Sequence, residues 1–284
     1  MADEKTVREY CDERGDHNPI YLENSPFGGC VVPPALRASL MGQRTLATKY
    51  DMHATVPTKS EHEYLHPARV GKRLITTGKV TAKYIKHGLE YLIVESFTVD
   101  EDNIEVRRSK EHILLSLKRK HGSLTQGSEY TVGESPFSSI AEPEAERTVV
   151  SLNDFPVGSE IPSLTKVAYQ STLHTQVFLA DSIHDGEYAK SHGYAGPLVS
   201  GYVLNEYMSE TLVNFFGPSW LQGGRISLTF IKPGVQEGDK VTCRGTIAET
   251  IVEKGAVRLT LDIWIEKSQG IKVATGKASG ILEV

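Results

Sequence analysis

The sequence predicts an α+β protein made of two copies of one unit, each a buried helix followed by an antiparallel β-meander, with the two sheets joined edge to edge. Three observations predict it: an internal repeat, an apolar stripe of helical period in the second copy, and runs of alternating polarity behind each helix.

The repeat sets the frame. Residues 16–34 read DHNPIYLENSPFGGCVVPP, and a later stretch, ending at Gly201, reads ADSIHDGEYAKSHGYAGPLVSG. Ile20-Tyr21 falls on Ile183-His184 and Pro33-Pro34 on Ser200-Gly201, with four more residues in the loop of the second copy. After the first copy come ALRASLMGQRTL, HEYLHPARVGKRL and strand-like runs at 73–84, 89–98 and 104–117. After the second come YVLNEYMSETLVNFF, ISLTFIKPGVQEGDKV and runs at 240–251, 255–267 and 271–283. Each half is therefore expected to be one helix and a meander.

The elements follow in order. Behind Gly201, Val203, Leu204, Tyr207, Met208, Thr211, Leu212, Phe215 and Phe216 recur at spacings of three and four, a stripe wide enough to bury against a sheet. Gly217-Pro218 stops the helix, and Glu206 and Glu210 lie on the opposite side of its wheel. In the strand run VRLTLDIWIE, Val257, Leu259, Leu261, Ile263 and Ile265 share one face, while Arg258, Thr260, Asp262 and Trp264 share the other. Each meander leaves an exposed edge, and pairing the two edges would cover both. The segment KRKHGSLTQGSEYTVGESPFSSIAEPEAE between the halves is rich in Gly, Ser, Pro and charge and reads as a surface connection. The expected division is 1–118, a connection over 119–149, and 150–284.

Composition narrows the function classes. The 284 residues are 39% hydrophobic and 24% charged, enough for one large or two medium cores. A formal charge of -5 repels a phosphate backbone, and the basic residues do not gather with aromatics, so nucleic acid is excluded as a partner. No run of about 18 apolar residues is present and the opening MADEKTVREYCDERGD is charged, so no membrane role and a cytoplasmic location are expected. Cys11, Cys30 and Cys243 are odd in number and widely spaced, which favours reduced thiols over a disulfide or a metal site.

Two ordered copies of polar turn, glycine-rich loop, buried helix, Pro-x-x-x-(x)-Gly and meander resemble the MaoC-like dehydratase and (R)-specific enoyl-CoA hydratase family, in its fused, two-hotdog form. The resemblance covers nearly the whole chain and implies a double hotdog fold. The copy with VVPPAL and HEYLHPARVGKRL resembles the non-catalytic N-terminal domain of fused members. The copy with SIHDGEYAKSHGYAGPLVSG and ISLTFIKPGVQEGDKV resembles the hydratase domain. The implied reaction is reversible hydration of an α,β-unsaturated acyl thioester of coenzyme A or acyl carrier protein, with no other cofactor.

That chemistry needs a base for water, an acid for Cα and donors for the enolate oxygen. Backbone N–H groups at a helix N-terminus can supply the donors. The resemblance assigns the acid/base role to His184 and the oxyanion contact to Gly201; Ser200 and Tyr194, on the same loop, are the expected substrate contacts. Two departures stand out. The family's Asp five residues before the His, in D-x-N-x-x-H, is Leu179 here, so the acid falls to Asp181 first and Asp185 second, although either can equally cap the local turn. The family's His-Gly at the helix start is Ser200-Gly201.

In the first copy Tyr21 replaces the His, and a phenol of pKa near 10 is a poor base. Pro34 stands where Gly201 does and has no N–H. That half reads as a scaffold shaping the acyl pocket, with one active site per chain. His174 and His192 read as surface residues, and Lys118, Arg119, Lys120 and His121 as a solvated basic run or a contact for coenzyme A phosphates. A thioesterase on the same fold, which would want a carboxylate on the buried helix, and a non-catalytic acyl-thioester-binding subunit are the alternatives. Homo-oligomer formation is left open.

Overall fold

The computed structural model describes residues 3–23, 25–36, 55–115, 130–131, 148–149, 155–170, 182–253 and 256–282. The expected first helix over ALRASLMGQRTL falls almost wholly outside these residues, as do Asp181, His174 and the run Lys118 to His121.

The N-terminal half supplies α1 (Glu4–Arg14), the single turn α2 (Pro19–Leu22) and strands β1 (Val56–Tyr64), β2 (Leu74–Lys86), β3 (Leu89–Asp100) and β4 (Glu105–Leu114). Two short pairs, β5 (Tyr130–Thr131) and β6 (Thr148–Val149), come from the connecting segment. The C-terminal half supplies β7 (Leu164–Val167), α3 (Gly186–Ser191), α4 (Gly201–Phe216), β8 (Arg225–Phe230), β9 (Lys240–Glu253), β10 (Ala256–Lys267) and β11 (Ile271–Leu282). The meander strands β2 to β4 and β9 to β11 stand where alternation predicts them.

All the described strands join one sheet, in the order β5-β2-β3-β4-β1-β8-β11-β10-β9-β6, with β7 on β9. Every pairing is antiparallel. In both halves the first strand pairs with the last, β1 with β4 and β8 with β11, and the meander runs outward from there. The halves meet where β1 pairs with β8, from Lys59↔Thr229 to Glu63↔Arg225, which consumes both inner edges. This is the double hotdog. β5 and β6 attach at opposite ends, on β2 and β9.

The repeat extends to individual hydrogen bonds. Val31 donates to the Ile20 carbonyl and Leu198 to that of Ile183; Val32 donates to Ala68 and Val199 to Val235. The bridges Val31↔Arg69 and Leu198↔Gln236 complete the correspondence. Both copies thus tie the turn, the helix-start strap and the Pro-Gly loop together in one way.

The core is centred on α4, which is buried from Tyr202 to Val213. Leu259, Leu261, Ile263 and Ile265 of β10 line the sheet below it, as alternation predicts. The side of α4 that carries Glu206 and Glu210 is covered as well, a departure from the wheel. α1 packs there with Val7, Tyr10, Cys11 and Arg14, one face at spacings of three and four. Arg14 Nε bonds Glu206 Oε2 at 2.5 Å, and Lys166 Nζ of β7 reaches Glu210 Oε1 at 2.8 Å. Buried charges are tolerated only when paired, and these are paired from outside the helix. Asn18, the cap of α2, reaches Asn214 on the same helix.

Candidate active site

The site is built on the turn 182–185 and the strap 198–200 that leads into α4. Ile183 is buried and accepts from the Leu198 amide at 2.8 Å, which fixes the turn against the strap. His184 then lies with its Nδ1 2.5 Å from the Leu198 carbonyl oxygen. A carbonyl can only accept, so Nδ1 carries the proton and Nε2 keeps its lone pair. Burial pushes the imidazole below its ordinary value of 6.5, while the bond to Leu198 acts the other way. The ring is therefore neutral at pH 7, in the tautomer that presents a basic nitrogen.

Gly201 opens α4. Ser200 is its N-cap, with Oγ accepting from the Tyr202 amide at 3.3 Å, and the Val203 amide bonds the Ser200 carbonyl at 3.0 Å. The cap thus serves the second and third amides and leaves that of Gly201, at the positive end of the helix dipole, for an oxygen from outside. Ser200 is itself anchored by Gln170, whose Oε1 accepts from the Ser200 amide at 2.7 Å. A Cβ on Gly201 would lie 3.0 Å from the Phe230 ring, so any side chain at the helix start would have to push this ring aside by a few tenths of an ångström. Gly201 is three positions beyond Leu198, a span of at most about 11 Å. The imidazole and the helix start thus share one short strap.

The other expected site residues fall as follows. Asp185 caps α3, its Oδ1 accepting from Glu187 N at 2.9 Å and Tyr188 N at 3.0 Å. The turn-capping use weighed for it is the one its geometry displays, and that oxygen is already engaged. Asp181 lies outside the described residues. Tyr194 is half-buried, with Lys232 Nζ 5.1 Å from its ring centroid, an arrangement that favours a cation over the aromatic face. His192 stacks on Tyr188 at 4.2 Å and bonds its carbonyl, a local surface role. Tyr21, in the place of His184, is wholly buried, and burial lifts its phenol well above 10. Pro34 uses its carbonyl instead of an amide, accepting from Arg107 Nη1 at 3.0 Å.

Sequence reasoning missed three contributors: the Leu198 carbonyl that selects the tautomer, Phe230 over the helix start, and Gln170 behind Ser200. Only the first left a trace, in the alignment of Leu198 with Val31 within the repeat. Among the described residues no group of three or more His, Cys, Asp or Glu could hold a metal ion, and no helix is long and apolar enough to cross a membrane.

Residues 3–108 match the family model described as FAS1-like, dehydratase domain region. No curated protein matches the sequence. Among solved structures, a MaoC-like dehydratase is similar with a TM-score of 0.76 and 15% identity, covering 100% of this chain and 95% of that one. A MaoC-like dehydratase from Phytophthora Capsici gives a TM-score of 0.62 at 14% identity, with 99% and 93% coverage. A conserved hypothetical protein from Mycobacterium tuberculosis, described as having a double hotdog fold, gives 0.59 at 15% identity, with 90% and 83% coverage. The resemblance read from the sequence is borne out by the dehydratase-region match and by a fold shared along the chain.

Proposed function

From a chain with the fold of the MaoC-like dehydratases, we propose reversible hydration of an α,β-unsaturated acyl thioester to the 3-hydroxyacyl thioester. The observation that carries this reading is the His184–Leu198 hydrogen bond, which leaves Nε2 as a base on a side chain tied to the strap that leads to the Gly201 amide. In the hydration direction Nε2 takes a proton from water, and the hydroxide adds to Cβ. The π electrons move to the thioester oxygen, where the Gly201 N–H stabilises the enolate. Collapse of the enolate takes a proton at Cα, so one water is added overall. The depressed imidazole pKa keeps the base form populated at neutral pH.

The Cα proton needs an acid. Asp181, three residues before His184 in the sequence, is the proposed donor; Asp185 ranks second because its Oδ1 is held by the cap of α3. Ser200 positions the helix start, and Tyr194 with Lys232 forms a polar rim suited to the thioester's carrier. The substrate is taken to be a coenzyme A or acyl carrier protein thioester. Three free thiols, Cys11, Cys30 and Cys243, support the cytoplasm as the proposed compartment.

A thioesterase is less well supported, because the carboxylates of α4, Glu206 and Glu210, are occupied by Arg14 and Lys166. Incubation with enoyl-CoAs of graded length separates the readings. Hydratase activity yields a 3-hydroxyacyl product and loss of the conjugated thioester absorbance, thioesterase activity yields free thiol, and a binding subunit yields neither. Absence of hydration with every enoyl thioester would overturn the proposal.

A further inference from the structure

The inner face of the N-terminal half is apolar at Leu92, Val94 and Ile113 but polar beside the junction of the two halves, on β1 and the adjoining part of β4. Ser60, His62 and Tyr64 alternate inward on β1, and each is buried. Opposite them on β4 stand Glu111, Ser109 and Arg107, paired as Ser60↔Glu111, His62↔Ser109 and Tyr64↔Arg107. Some of this polarity is satisfied: Ser60 Oγ donates to Glu111 Oε2 at 2.6 Å, and His62 Nδ1 meets Ser109 Oγ at 2.9 Å. The rest is not. His62 Nε2, Glu111 Oε1, Tyr64 OH and Arg107 Nε are enclosed without a hydrogen-bond partner. His62 Nε2 and Glu111 Oε1 stand 3.6 Å apart, too far for a direct bond.

A second row of such atoms runs along α4. Asn205 Oδ1 and Ser209 Oγ are also buried without partners. They sit one and two turns beyond Gly201, on one side of the helix, and Ser209 is close enough to Tyr64 to act on its phenol. The two rows face one seam. Its near end is the Gly201–Phe230 contact, and β1 runs alongside β8 from there, Ser60 opposite Leu228 and His62 opposite Ile226. Four of these six atoms are turned on one another, His62 toward Glu111 at 3.6 Å and Tyr64 toward Ser209, while Arg107 Nε and Asn205 Oδ1 have no hydrogen-bond partner; a buried unsatisfied group loses about 1–3 kcal/mol. A fold that retains them has a use for them.

We infer that this seam receives the acyl end of the substrate, and that the acyl group carries an oxygen function, a hydroxyl or a carbonyl, beyond the reacting carbons. The inference rests on the hydration reading for its starting point, the thioester at Gly201. From there the helix rises roughly 6 Å to Asn205 and roughly 12 Å to Ser209, the reach of a medium-length acyl chain. The orphaned atoms include donors (Arg107 Nε, Tyr64 OH) and an acceptor (Asn205 Oδ1), a mixture suited to a neutral oxygen group. A plain hydrocarbon in the seam would leave them all unpaired. Sites lined for hydrogen bonding reject analogues that lack the bonding group far more strongly than apolar pockets reject a missing methylene.

The test is calorimetric binding of octanoyl-CoA and ω-hydroxyoctanoyl-CoA to the full chain, two ligands that cannot be hydrated. The hydroxylated ligand is expected to bind at least about tenfold tighter, about 1.4 kcal/mol. In Glu111→Leu that preference should vanish or invert; Ser209→Ala, a smaller change, should reduce it and serves if the first variant does not fold. Equal affinity, or tighter binding of the plain chain, overturns the inference, and is the result expected if ordered water alone serves these atoms. Turnover of crotonyl-CoA, too short to reach the seam, is measured separately. Hydration of crotonyl-CoA without a hydroxyl preference sinks the seam and spares the reaction; a hydroxyl preference without hydration does the reverse.

Discussion

The two halves share a backbone plan and differ most where their sheets face inward. The shared pairing of first strand with last sets Ser60, His62 and Tyr64 against Ile226, Leu228 and Phe230, and Arg107, Ser109 and Glu111 against Ala274, Gly276 and Ala278. All six polar residues on one side have apolar or missing side chains on the other. In the C-terminal half small residues on β11 let the neighbouring strand and α4 close in: a Cβ on Gly276 would lie 1.9 Å from the Ser227 carbonyl oxygen, and one on Gly280 would lie 2.8 Å from Phe216. There the sheet face is apolar, and the buried polar atoms Asn205 Oδ1 and Ser209 Oγ lie on α4 instead. The other half keeps polar groups on β1 and β4 and has Tyr21 in the place of His184. On the proposed reading the duplicated fold divides its labour, with chemistry on one side and recognition on the other.

The largest expected break is in activity. His184→Ala should lower hydration by about 10²–10⁴-fold, followed by the loss of conjugated thioester absorbance, with circular dichroism checking that the fold survives. Next is the clamp on α4. Arg14→Ala removes the cation paired with the buried Glu206 carboxylate and should cost about 3–5 kcal/mol in denaturant unfolding, whereas Arg14→Met combined with Glu206→Met should recover most of it.

Exchanging inner-face residues sharpens the contrast directly. Gly276→Ser, which installs the residue of the matching N-terminal position, should destabilise by about 3 kcal/mol or more because its Cβ overlaps a backbone oxygen. The reverse change, Ser109→Gly, should cost about 1 kcal/mol, chiefly the bond to His62 and the freer glycine backbone.

A smaller effect follows from protonation. Burial lifts Glu111 to about 8 and Glu210 to about 7, against 4.5 for the unfolded side chain. Over that interval the folded state holds protons the unfolded state has released, so their stabilisation is complete below about 4.5 and is lost as the pH rises through the folded values. The denaturation midpoint should therefore fall between pH 5 and pH 8, and fall less in Glu111→Gln. The smallest effect belongs to Tyr21→Phe, which should leave turnover within about twofold, since this phenol stands where the base is missing. A loss matching that of His184→Ala would contradict a single active site.

Much of this was legible in the sequence because it is written in local period. The alternation of Leu259, Leu261, Ile263 and Ile265 and the repeat of turn, loop and helix gave the meanders and their duplication without knowledge of any contact. β1 was harder: its inward positions Ser60, His62 and Tyr64 are not a run of aliphatic residues, so alternation carried little hydrophobic signal although they are buried. The same three positions form one side of the seam. Glu206 and Glu210 read as a face turned away from the core because their partners, Arg14 and Lys166, are distant in sequence, and no window along the chain contains both members of either pair. His184 and Gly201 were singled out through the repeat and the resemblance, while the tautomer that leaves a lone pair on Nε2 depends on a carbonyl that no side-chain pattern encodes.

The Arg14–Glu206 clamp also bears on how the protein is made. Its two partners are 192 residues apart. At a synthesis rate of about 5–20 residues per second, α1 waits on the order of 10–40 s after leaving the ribosome before Glu206 exists. Throughout that interval Val7, Tyr10 and Cys11 can pack against the nearby α2 turn but not against α4, and an isolated helix of this length is marginal in water. Docking of α1 is thus a late event in biosynthesis, and a nascent chain stalled before residue 206 should expose this segment to proteases and chaperones that the finished protein excludes.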